Sequence, residues 1–340
     1  MEYRRLKPID VIRLAAPHTW AASVFPAIFG GAVYFKAVSR AAAKPAIRLE
    51  PSSVFPFTAD PLLASFIAFL LCFAAAVLMQ SAVNALNDYR DFISGTDTVG
   101  NSDDPTDAVL VYNNIAPKAV LRLGCVFLLL AGACGVLGIA VSAFGNPANL
   151  STRIAAPLII GVCGALVIAL YSFGPKPVSY LPLGEFFSGA VMGFGIPAGV
   201  FSVLAGRLPW QLFVLSLPFV ISIGLIMMTN NACDIERDSA TNRRTLTVLL
   251  GRRRSRAVYR TLVILWYVSI PLLLTLFAAA TRSHMNLRLL IAFPLLLACL
   301  PFVIRLVRLP LTPVTRARGM KSITLANAAL GAAYIIGVII

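Results

Sequence analysis

The sequence predicts an all-α, polytopic integral membrane protein, and three observations carry that prediction. Of its 340 residues, 59% are hydrophobic and only 13% are charged, whereas a soluble domain is nearer a quarter charged. Uncharged apolar runs at 62–79, 154–170 and 262–280 approach or reach the length that crosses a bilayer as a helix. Such runs recur to the last residue, Ile340, so a signal peptide is not the better reading of the N-terminus.

Taken in order, the spans fall near 17–36, 61–86, 119–143, 154–173, 185–204, 210–230, 260–280, 287–306 and 322–340. No stretch between them is long enough to bury a core of its own, so residues 1–340 are expected to form one domain. Nine spans put the termini on opposite sides. With the N-terminus inside, the inner segments hold 21 Lys and Arg and the outer segments 8, which sets the N-terminus in the cytoplasm, at the cell membrane. Lys36, Arg40, Lys44 and Arg48, in the first outer loop, run against that trend. The formal charge of +15 thus reflects membrane orientation rather than nucleic-acid binding. Six cysteines lack paired spacing, and with no CxxC and only His18 and His284 there is no zinc pattern.

Acidic residues are scarce and clustered. Six of the 14 lie between Asp88 and Asp107, and three more are Asp234, Glu236 and Asp238. Both clusters sit at the inner end of a span. In the first, Asn84, Asp88 and Asp91 share a helical face, and Asn87 lies four residues before Asp91. In the second, Asn230, Asp234 and Asp238 repeat at i, i+4 and i+8, with Asn231 beside them. Stacked carboxylates repel one another and resist desolvation. A hard divalent cation that takes carboxylate and phosphate oxygens resolves both problems, and Mg²⁺ fits. Helix caps would explain either cluster alone, but not two of the same design on one side of the membrane.

The basic residues nearby suit phosphate. Arg243 and Arg244 follow Asp238 by five and six residues, and guanidinium forks match phosphate oxygens. The later run Arg252 to Arg256 reads as an anchor on anionic headgroups. Between the fourth and fifth spans, Gly174 and three prolines force a tight crossing that carries Lys176, a phosphate contact or a simple anchor. Tyr171 reads equally as an interfacial belt residue or a site residue. Glu185 is either a helix N-terminal charge or a polar contact for a ring substrate.

These motifs resemble the UbiA superfamily of intramembrane aromatic prenyltransferases. Asn87-Asp88-x-x-Asp91 matches that family's first motif and Asp234-x-x-x-Asp238 its second; Gly95 stands where a third Asp is common, and the next acid is Asp97. The runs 87–97, 171–185 and 230–246, with Arg13-Leu-Ala-Ala-Pro17-His18-Thr19, look like the 1,4-dihydroxy-2-naphthoate polyprenyltransferases of menaquinone synthesis. The stretch Asp103 to Leu110 departs from the better-known members of that branch. The resemblance implies a bundle around a central cavity. In it, two Mg²⁺ ions would hold a polyprenyl diphosphate on Asn84, Asn87, Asp88, Asp91, Asp234 and Asp238. Lys176, Arg243 and Arg244 would balance phosphate charge, with Tyr171, Asn230 and Asn231 in contact with substrate. Asp97 would assist either the metal or ring deprotonation, and Arg13 would meet the acceptor's carboxylate. Apart from the resemblance, the polar, Gly- and Asp-containing makeup of the loop from Gly95 to Asn114 leads us to expect that it orders on binding metal and diphosphate. Other acceptors, such as 4-hydroxybenzoate, fit the same motifs. A secondary transporter is the rival from another class, but transporters place their acids near the bilayer midplane. Neither the chain length of the donor nor the oligomeric state follows from the sequence.

Overall fold

The computed structural model describes residues 3–42, 61–98, 108–145, 150–173, 177–280 and 285–340. Among them, nine helices are long and apolar enough to cross a membrane. The only extended pairing among the described residues is a single bridge between Arg4 and Ile115. A short helix α1 (Pro8–Ala15) precedes the first span, α2 (Ala21–Ala42). The Arg4 guanidinium, hydrogen-bonded to Asp10 at 2.6 Å, holds the Asp10 carboxyl down to about 2 and ties the chain's start to α1. The second span, α3 (Pro61–Ser94), runs 34 residues, roughly 50 Å at 1.5 Å per residue. That exceeds a hydrocarbon core of about 30 Å, so its last turns carry the first acidic motif out to a membrane surface. A one-turn helix α4 (Val109–Asn113) leads into α5 (Pro117–Gly145), which packs along the length of α3.

The fourth span is α6 (Leu150–Ser172), and the fifth is composite: α7 (Gly184–Ala190), a π-helical turn at Val191–Gly195, and α8 (Ile196–Ala205). The sixth, α9 (Gln211–Cys233), is followed by the short α10 (Ile235–Ala240). The seventh, α11 (Leu246–Ala280), begins well before the predicted residue 260 and breaks at Gly251, whose φ of 70° and ψ of 162° are not helical. That break turns Arg252 back onto the protein: it pairs with Glu236 at 2.7 Å and donates to the Ala232 carbonyl at 2.9 Å. Arg252 is therefore an internal tie rather than the headgroup anchor expected from its run. Helices α12 (Met285–Val307) and α13 (Arg316–Ile339) complete the bundle.

The surface is inverted relative to a soluble protein. Leu129, Phe144 and Phe293 are 74, 84 and 61% exposed, as expected where lipid is the solvent. Inside, Phe29, Phe219 and Tyr334 stack with centroids 5.0 to 5.9 Å apart, and the buried Tyr334 hydroxyl donates to the Leu215 carbonyl at 2.8 Å. Small residues bring backbones close. A Cβ at Gly193 would stand 2.4 Å from the Val220 nitrogen, and one at Gly189 2.5 Å from the Val220 carbonyl oxygen. The fifth and sixth spans therefore touch backbone to backbone beside the cavity described next.

Candidate active site

A cavity of about 320 Å³ opens at the end of the bundle that carries both acidic motifs, walled by α1, α3, α6, α7, α9 and α13. The unbroken helix of α3 sets Asn84, Asn87, Asp88 and Asp91 along one wall. Their amides are already engaged. Asn84 donates at 2.9 Å to the Ala15 carbonyl and to Thr19 Oγ1, clasping the α1–α2 corner, and its own oxygen accepts from Gln80 at 3.3 Å. Asn87 Oδ1 accepts from Ser172 Oγ at the end of α6.

Asp97 reaches the same wall through a turn. Gly95 has φ +71°, and the Thr96 and Asp97 amides donate back to the Asp91 carbonyl at 3.0 and 3.2 Å, a left-handed helix end that glycine suits. The glycine that displaces the expected third acid is thus the residue that folds Asp97, 9% exposed, back onto the cavity. No atom lies within 4 Å of a Cβ built at Gly95, so backbone conformation is the whole constraint. Gly95→Ala should cost about 1 kcal/mol in that conformation. It should lower turnover severalfold with little change in melting temperature, as read by thermal unfolding beside the product assay.

The second motif is not the continuous face expected. The helix breaks at Asp234, with φ −102° and ψ 18°, so Asn230 and Asn231 line the cavity while Asp234 and Asp238 lie behind it, 6 and 1% exposed. Asp234 Oδ2 accepts from Arg237 Nη2 at 2.8 Å and from Arg316 Nε at 3.0 Å. Arg237 also stands 3.6 Å from Asp97, joining the two motifs. Asp238 lies 3.5 Å from Arg243. Burial pushes the Asp238 carboxyl above the usual range, and Arg243 only partly offsets it. For Arg243, burial pulls the other way, but Asp238 and Asp91 outweigh it and hold the guanidinium above its ordinary value. Arg243 lines the cavity 5.3 Å over the Tyr180 ring.

The remaining candidates separate. Tyr171 is buried against the cavity, which removes the belt alternative. Arg13 sits at the mouth and donates to Asn113 at 3.0 Å. Arg244 is exposed and outside the cavity wall; its part is a backbone bond to the Tyr180 carbonyl at 2.9 Å. Lys176 and loop residues 99–107 lie outside the described residues. Two arginines escaped the sequence reading. Arg237 sits inside the second motif, where an arginine beside two acids was its only signal. Arg316 begins α13 and donates to Asn230 Oδ1 at 2.7 Å; no local pattern marks it.

The donor set suits a hard cation. Asp88 Oδ2 is buried without a hydrogen bond, a costly state that a cation relieves. Among the described residues, no three acidic, His or Cys side chains converge as a ready-made metal cluster, so the protein alone offers partial coordination that phosphate oxygens and water would complete.

Comparison with known proteins bears on the fold and the family. The chain is 28% identical over 241 residues to the 1,4-dihydroxy-2-naphthoate octaprenyltransferase of Bacillus subtilis, covering 71% of this chain and 66% of that protein. It is 29% identical over 271 residues to the protein of the same name from Mycobacterium leprae, covering 79% and 85%. A UbiA homologue from Archaeoglobus fulgidus, solved bound to GPP and Mg²⁺, shares the fold at a TM-score of 0.56 and 15% identity, over 96% of this chain and 99% of that one. The chain spans about two thirds or less of the length of the first curated relatives it matches; the pattern of the UbiA prenyltransferase family matches residues 51–325, and the protein belongs to that family of integral membrane proteins.

Proposed function

We propose that this protein transfers a polyprenyl group from its diphosphate to 1,4-dihydroxy-2-naphthoate, with loss of the ring carboxylate to give a demethylmenaquinone. The observation that carries the reading is a cavity with two chemically different ends. Acids from helices some 140 residues apart in sequence meet Arg237, Arg243 and Arg316 at one end; Val167, Ile168, Met192 and Ile226 wall the rest. A diphosphate suits the first and an allylic chain the second. The names of the Bacillus and Mycobacterium relatives support this acceptor.

Asp88, Asp91 and Asp238, with Asp234 and Asn87 adjoining, would hold Mg²⁺, in our reading two ions. Bound there, the metal would neutralise the diphosphate and make it a better leaving group. The three arginines add fixed positive charge where the leaving group's charge grows. The carbon–oxygen bond breaks with its electron pair on the diphosphate, leaving an allylic cation that the apolar wall shields from water. The ring carbon bearing the carboxylate attacks that cation. The bond to the carboxylate then breaks, its electron pair restores the aromatic ring, and carbon dioxide leaves. Arg13, at the mouth, would orient the carboxylate. Asp97, paired with Arg237, belongs with the metal-holding acids rather than with a ring base. The excess of Lys and Arg on the cavity side supports a cytoplasmic mouth in the cell membrane, with residues 1–340 acting as one domain.

The test is turnover by detergent-purified protein with radiolabelled polyprenyl diphosphate and 1,4-dihydroxy-2-naphthoate, in Mg²⁺ or in EDTA. A lipid-soluble quinol formed only with Mg²⁺ is expected. Product from 4-hydroxybenzoate and none from the naphthoate would discard this acceptor.

A further inference from the structure

The transfer chemistry leaves a buried acid beside the cavity unused. Glu185, in the first turn of α7, is 7% exposed. Its Oε1 accepts from Asn231 Nδ2 at 2.9 Å, and its Oε2 is buried without a hydrogen bond. A carboxylate accepts and does not donate. The pairing therefore fixes which way the Asn231 amide faces, with nitrogen toward Glu185 and oxygen away from it. Asn231 is itself 5% exposed and lines the cavity. Its bond to Glu185 is its one side-chain hydrogen bond among the described residues.

The pair is held rigidly. Glu185 and Asn231 stand on helices whose backbones touch at Gly189, Gly193 and Val220, and a Cβ at Gly224 would lie 3.3 Å from the Glu185 carbonyl oxygen. The π-turn that follows α7 places Val191 and Met192 in the cavity wall, and π-turns recur at functional sites. Beside the pair, the Tyr171 hydroxyl stands 3.6 Å from where a Gly184 Cβ would be. With Phe187 and Met192 in the same wall, the Asn231 amide stands beside a largely apolar surface. It suits a flat ring with a hydroxyl on its edge.

We propose that Glu185 is a positioning residue that turns Asn231 Oδ1 into the cavity as a fixed acceptor for a ring hydroxyl of the prenyl acceptor. The inference rests on the transfer reading above and deepens it. A hydroxyl gripped this way sets which ring carbon faces the prenyl cation. It also selects for hydroxylated rings over rings that lack the group.

The test exchanges the donor and the acceptor. Michaelis constants for the ring, the prenyl diphosphate and Mg²⁺ are measured for Glu185→Leu, Glu185→Gln, Asn231→Asp and the double variant Glu185→Gln/Asn231→Asp, each checked for folding by thermal unfolding. Binding of 1-hydroxy-2-naphthoate, a ring that does not oxidise to a quinone, is followed in parallel by its fluorescence. Glu185→Leu frees the amide and should raise the ring's KM about tenfold, with kcat and the other two constants within about twofold. Glu185→Gln still accepts from Asn231 and should lose least. Asn231→Asp sets two carboxylates face to face and should lose at least as much as Glu185→Leu. The double variant restores a donor and should recover most of that loss. A double variant no better than Asn231→Asp, or a defect confined to Mg²⁺ or diphosphate, overturns the proposal. If wild-type protein makes no product but binds the naphthoate in a Glu185-dependent way, the transfer reading falls and the positioning role stands. If it neither binds nor turns over, both fall.

Discussion

Asp91→Ala and Asp234→Ala should each lower product formation at least about a thousandfold while leaving a folded, monodisperse protein. The size follows from where the charges stand. Asp91 lines the cavity on α3, and Asp234 accepts from both Arg237 and Arg316. Removing Asp91 would take a ligand from the proposed metal, and removing Asp234 would also release Arg237 and Arg316 from their set positions. Folding should survive, because neither carboxylate is among the apolar side chains, such as Phe29, Phe219 and Tyr334, that form the core. Product formation at saturating Mg²⁺, alongside gel filtration and thermal unfolding, separates the two effects. Full activity in either folded variant would remove the metal-binding role from that motif.

Arg316→Ala should raise the KM for the prenyl diphosphate by about ten- to a hundredfold and leave the KM for the ring nearly unchanged. Arg316 opens the last span and forks between Asp234 Oδ2 at 3.0 Å and Asn230 Oδ1 at 2.7 Å. It lines the cavity at the same time, so it sets the second motif and faces the place proposed for the diphosphate. Arg316→Lys keeps the charge without the planar fork and should fall between wild type and Ala. Diphosphate binding by calorimetry, without the ring, checks the assignment. An effect on the ring's KM alone would place Arg316 with the acceptor instead.

Much of this site was legible because helices make spacing into geometry. Asn84, Asp88 and Asp91 share a face in the structure as their numbers imply, since α3 runs unbroken through all three. The second motif was legible only in part. Its i, i+4, i+8 spacing assumed one helix, and the chain breaks at Asp234; buried side-chain and backbone partners there overrule the local repeat. Asp97 was visible as an acid, but its return to α3 depends on the positive φ of Gly95. Arg244 illustrates the opposite failure: it is adjacent to Arg243 in sequence, and the two side chains diverge, one into the cavity and one to the exterior.

The sequence by itself determined the all-helical membrane architecture, the nine spans and the two acidic motifs. Each of these depends on residues near one another in the chain: apolar length against bilayer thickness, and helical period against charge. Only the tertiary structure decided which groups face one another across the cavity. Arg316 stands 82 residues from the Asp234 it pairs with, and Glu185 stands 46 from the Asn231 amide it holds. No periodicity within a helix encodes such pairs. They follow from how the helices cross, and that crossing is set by small residues and buried polar partners distributed over the whole chain.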